Sequence, residues 1–100
     1  MIMERDKKAE VLELIFRATN EELYGIYPYQ DGYLVHGVFN ILRFDGEGRE
    51  LWSFAGGGEV FCTRDIQKYP PFKIKGDTIE LYDWNHVHYL LDVNGHLLAA

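Results

Sequence analysis

Four histidines and a single cysteine are the side chains best suited to reactive or metal-binding chemistry. His86 and His88 are two positions apart, and on a strand that spacing puts both imidazoles on one face. Such a pair can share a metal ion, with His36, Asp92 or His96 as further ligands. No H-E-x-x-H or C-x-x-C pattern fixes a third ligand, so the plainer expectation is hydrogen-bonded or solvent-facing histidines, and no metal is assigned. Cys62 would need an adjacent base to become a nucleophile. It lies in Val60-Phe61-Cys62-Thr63, a strand-like apolar run in which a thiol behaves as a small hydrophobe. Gly56-Gly57-Gly58 lacks the Lys-Ser or Lys-Thr of a phosphate-cradling loop and reads as a flexible loop or bulge, or a lid beside Trp52 and Phe54. No catalytic residue and no cofactor is assigned.

Aromatic residues make up 15% of the chain, with seven tyrosines among them. Most such rings pack in a sheet core, but a small domain does not readily hide this many, and Tyr and Trp anchor interfaces and line ligand clefts. The candidate partner- or ligand-binding residues are therefore Tyr27, Tyr29, Trp52 and Trp84, with His36, Asn40, His86 and His88 as the polar groups among them.

The elements that must position these groups are legible in outline. Residues 4–18 hold no Gly or Pro, and Val11, Leu12, Ile15 and Ala18, with Met3 and Lys8 upstream, form one apolar helical face. Glu21-Glu22-Leu23 is a candidate short second turn. From Tyr24 to Ala99 aromatic and β-branched residues alternate with turn signals, the pattern of an antiparallel meander. Asp31-Gly32, Lys75-Gly76-Asp77-Thr78 and Asp83-Trp84-Asn85-His86 read as turns. Tyr33–Phe44 reads as one long strand, apolar on both faces, with Gly37 as a mid-strand bulge or bend. Glu59–Thr63 reads as a further strand, and residues 64–72 as a connection stiffened by Pro70-Pro71.

Phe44-Asp45-Gly46-Glu47-Gly48-Arg49-Glu50-Leu51 repeats as Leu91-Asp92-Val93-Asn94-Gly95-His96-Leu97-Leu98, both apolar-D-x-x-G-x-x-L. Asp first and Gly fourth suit a type I turn closed by a left-handed glycine, so both segments are expected hairpins and both aspartates structural. With Leu51-Trp52-Ser53-Phe54 after it, the first copy resembles the hairpins of quinoprotein-type β-propeller blades. The likeness covers about 20 residues, and a propeller needs at least four blades where this chain has room for two, so it implies hairpin chemistry and carries no site.

Together these features predict an α+β fold. An N-terminal amphipathic helix packs on a curved antiparallel sheet or half-barrel of about six or seven strands, in one domain over residues 1–100. The formal charge of −6 disfavours nucleic acid, although Arg64, Lys68, Lys73 and Lys75 make one basic stretch. No apolar run is long enough to span a membrane, the first residues lack an apolar signal-peptide core, and one cysteine suits a cytoplasmic setting. The leading expectation is a non-enzymatic interaction module of inhibitor, immunity or adaptor type, binding a protein partner or a second copy as a homodimer. The alternative is a small-ligand-binding domain whose aromatic-lined cup, closed by the N-terminal helix, takes a small apolar or aromatic molecule. A metal-dependent enzyme using His86 and His88 is the second alternative.

Overall fold

A computed structural model describes residues 7–19 and 21–99 of the chain. Helix α1 runs Lys7–Ala18 and buries Val11 and Ile15. Glu10 in its first turn and Arg17 in its last complement the helix dipole. The Thr19 amide and hydroxyl both donate to the Ile15 carbonyl and end the helix. Met3 and residues 4–6 of the expected helix lie outside the described residues. The expected second turn at Glu21–Leu23 does not form, because Leu23 opens a strand.

Two four-stranded antiparallel sheets follow, neither of them closed. The first takes β1 (Leu23–Tyr29), β2 (Gly32–Gly37), β3 (Asn40–Phe44) and β4 (Glu50–Ala55), neighbours in chain order. The second takes β5 (Phe72–Lys75), β6 (Thr78–Tyr82), β7 (His88–Leu91) and β8 (Leu97–Ala99) in the same way. The α+β class is as expected, but the single curved sheet of six or seven strands is replaced by this pair. Two readings account for the error. Tyr33–Phe44 is not one strand but β2 and β3, folded back at Val38-Phe39 so that His36 pairs with Ile41. Glu59–Thr63 is an irregular crossing between the sheets, with Phe61 fully buried.

The β2–β3 turn is held from outside itself. One carboxylate oxygen of Glu21 accepts the Phe39 and Asn40 amides at 3.0 and 2.9 Å, and the other accepts the Asn40 side-chain amide at 2.8 Å. The D-x-x-G hairpins form as expected. Gly48 and Gly95 adopt φ of 86° and 76°, and Asp45 and Asp92 each cap the two amides of their own turn. A third turn has the same hydrogen bonds. Asp83 caps the Asn85 and Val87 amides, and His86, at φ 62°, occupies the place that glycine takes in the other two.

Side-chain alternation splits the first sheet between two cores. Val35, Leu42 and Phe44 face α1 and pack with Val11 and Ile15. Leu34 and Ile41 face the second sheet and join Tyr29, Phe61, Ile79, Leu81, Tyr89 and Leu91. Each fully buried Ile, Leu or Phe contributes about 1.5–3 kcal/mol. The helix thus covers the outer face of the first sheet and cannot close a cup between the sheets.

Candidate functional site

The two sheets leave a cleft of about 270 Å³ at one margin of their shared core, lined by Tyr24, Tyr27, His36, Phe61, Cys62, Pro71 and Phe72. Strand β1 supplies both tyrosines. Three positions apart on a regular strand, they would point to opposite faces. A bulge between Leu23 and Gly25 places Tyr24 as an extra residue against the β2 register and returns it to the cleft. Strand β2 supplies His36 from the face that also carries Leu34, and β5 supplies Phe72 opposite them. The irregular crossing contributes Phe61 and Cys62.

The rings form a continuous stack. Phe72 lies nearly parallel to Tyr27 at 5.2 Å and 24°, and to His36 at 5.0 Å and 13°. Tyr24 tilts against His36 at 4.7 Å. His36 is 5% exposed, and its Nε2 lies 2.8 Å from the Phe61 carbonyl oxygen. A carbonyl only accepts, so Nε2 carries the proton and, in the neutral ring, Nδ1 keeps its lone pair. Burial lowers the pKa of His36 below its ordinary 6.5 and outweighs the opposing Phe61 hydrogen bond, which favours the neutral imidazole at pH 7. Burial pushes the Tyr24 hydroxyl up, and the neighbouring Cys62 thiol adds to that rise. No Asp, Glu, Lys or Arg lines the cleft.

Of the eight residues singled out in the sequence, only Tyr27 and His36 meet here. Tyr29 is a core residue, 4% exposed, with the Arg43 guanidinium 5.4 Å above its ring and its hydroxyl buried without a partner. Asn40 does not reach the cleft, because Glu21 holds it in the β2–β3 turn. Trp52 donates its indole N–H to the Val93 carbonyl and packs on the second D-x-x-G hairpin. Trp84 is 39% exposed beneath the Arg64 guanidinium.

The two histidines of the expected metal pair do not share a strand face. His86 sits in the Asp83 turn and stacks on Tyr69 at 4.1 Å, with its Nε2 buried and unpaired. His88 leans on Tyr82 at 4.8 Å and bonds Glu80 at 3.0 Å. Their ring contacts join only through Tyr69 and Tyr82, which meet edge to face. Burial alone would raise the Glu80 carboxyl, but the His88 hydrogen bond and the Lys75 ammonium outweigh it and hold the group below its ordinary range. Among the described residues no three His, Cys, Asp or Glu side chains are grouped to hold a metal ion. Of the triple glycine, Gly56 and Gly57 have docking contacts and Gly58 stands in open space. The Gly57 amide donates to the Tyr89 hydroxyl, and a Cβ at Gly56 would meet Phe61 and Tyr89 at 3.2 Å.

Sequence reasoning missed Tyr24, Phe61, Cys62, Pro71 and Phe72 as a group. The one local signal was Tyr24-Gly25, since a glycine inside a strand-like run can mark a bulge. Comparison with protein-family models, with curated proteins and with solved structures gives no match to this chain. Among the described residues no helix is long and apolar enough to cross a membrane.

Proposed function

We propose that the protein is a non-enzymatic binding domain whose inter-sheet cleft takes a small planar apolar or aromatic ligand. The observation that supports this most is the Tyr24–His36–Phe72–Tyr27 stack, four ring systems from three strands converging on one uncharged cleft. A mostly apolar concavity with a few polar groups suits a small molecule, and this volume matches one ring or a fused bicycle. Cys62 and His36 both line the cleft, but the thiol lies 3.9 Å from the Thr63 carbonyl and His36 Nε2 is taken by the Phe61 carbonyl, so our reading is retention of a ligand, in a cytoplasmic setting compatible with one free thiol. The test is ligand-observed saturation-transfer NMR with planar one- and two-ring fragments. Binding should occur to the unmodified chain and to Trp84→Ala, and be lost in Phe72→Ala. Equal binding to all three proteins contradicts the proposal.

A second reading, recognition of a protein partner or a second copy, is favoured by the exposed Trp84 ring with Arg64 stacked 5.2 Å away. Trp and Arg are the side chains that most often dominate binding energy at protein interfaces. Light scattering of the unmodified chain against Trp84→Ala tests self-association there. A monomer in both cases removes the homodimer form of this reading.

A further inference from the structure

The polar inventory of the cleft narrows the ligand further. His36 is fixed in rotation and tautomer, since Nε2–H is engaged by the Phe61 carbonyl and its two faces contact Tyr24 and Phe72. The neutral ring therefore offers a single acceptor, Nδ1, and leaving that acceptor without a donor costs binding energy once a ligand displaces water from it. Of the remaining walls Phe61, Pro71 and Phe72 are apolar, while the Tyr24 and Tyr27 hydroxyls turn to donate or accept and Cys62 is a weak thiol donor, so Nδ1 is the acceptor of fixed direction among these side chains. No charged side chain is present to offset the desolvation of a ligand carboxylate or ammonium. Aromatic faces reward a flat ring laid against them.

We propose that the ligand of this cleft is a neutral, planar aromatic molecule carrying an N–H or O–H donor, of the indole or phenol class, whose donor is accepted by His36 Nδ1. This rests on the ligand-binding reading and adds the hydrogen-bond polarity and charge of the ligand. Selectivity against an isostere lacking the donor follows from leaving Nδ1 unpaired in the complex, at a cost of about one hydrogen bond.

The experiment titrates isotope-labelled protein with indole and with 1-methylindole, following amide shifts and the ring nitrogens of His36. The expected result is that indole binds about three- to ten-fold more tightly, the range set by one net hydrogen bond. The His36 Nδ1 resonance moves upfield with indole and stays in place with 1-methylindole. Equal affinities with an unmoved Nδ1 overturn the donor assignment and leave the cleft reading standing. Absence of binding by either probe overturns the cleft reading itself. In His36→Phe, which keeps a flat ring between Tyr24 and Phe72, the two probes should bind equally. The comparison in the unmodified chain decides the matter even where that variant does not fold.

Discussion

The imidazole of His36 and the ring of Phe72 lie 5.0 Å apart and 13° from parallel although they belong to different sheets. The contact does two jobs. It ties the margins of the two sheets together where their shared core thins out, and it fixes the face of the one buried histidine whose lone pair is open to a ligand donor. Loss of either ring should therefore be felt in folding and in binding at once.

Phe72→Ala should destabilise the chain by about 1–3 kcal/mol in urea unfolding, the range for removing a partly buried ring that packs on a core. Tyr27, 40% exposed, stacks on the outer side of Phe72. Its truncation to Ala should cost about 1 kcal/mol or less while weakening fragment binding as strongly as Phe72→Ala does. A Tyr27→Ala protein that binds normally would place the ligand away from this wall.

The pH response has a definite sign. The pKa of His36 in the folded state lies below its ordinary 6.5, chiefly through burial. Above that ordinary value both folded and unfolded chains carry a neutral ring. As pH falls below it the unfolded chain takes a proton first, so stability present above 6.5 is lost down to the folded-state value. Glu80, held below its ordinary 4.5, loses its contribution in a lower window. Urea midpoints at descending pH should fall in two stages, and His36→Phe should remove the upper stage alone. A flat response from pH 7 to 5 in the unmodified chain contradicts the buried neutral histidine.

Glu21 explains the largest misreading of the sequence. Val38-Phe39 carries no turn residues, and an apolar run through it naturally reads as strand. The turn exists because a carboxylate from another segment caps the Phe39 and Asn40 amides, a contact that no local window contains. Glu21→Ala should cost about 1–2 kcal/mol, from the half-buried Asn40 donors left unpaired while the exposed Phe39 amide returns to water, and Glu22→Ala should cost far less. Equal effects would show that the turn stands without its cap.

Legibility followed the locality of the cause. The helix and the two D-x-x-G hairpins were readable because their signals lie within a few residues of what they specify. The third turn is legible as Asp83-Trp84-Asn85-His86, but its kinship with the D-x-x-G pair is masked because His86 stands where that pattern asks for Gly, and its place in the turn takes His86 off the strand face assigned to it. The cleft was half readable. Tyr27 and His36 follow from the aromatic count and the strand pattern, whereas Tyr24 depends on a bulge and Phe72 on how two sheets dock. His88 keeps a strand position, and its Nε2 meets the Glu80 carboxylate.

The glycines in positive φ separate strain from contact. At Gly58, φ 93°, an added Cβ meets nothing, while at Gly95, φ 76°, it would stand 2.5 Å from the Trp52 ring. Gly58→Ala should cost about 1 kcal/mol from backbone strain alone. Gly95→Ala should exceed that by about 1–3 kcal/mol as Trp52 is pushed off its seat. Thermal unfolding of both variants checks the order, and near-equal losses would deny the Trp52–hairpin contact its role.

Binding in the cleft is tested most directly by a crystal structure of the protein soaked with indole. The expected density is one flat ring in the cleft beside Tyr24, Tyr27 and Phe72 with its N–H directed at His36 Nδ1. Indole seated instead on Trp84, or an empty cleft in crystals exposed to saturating indole, would contradict it.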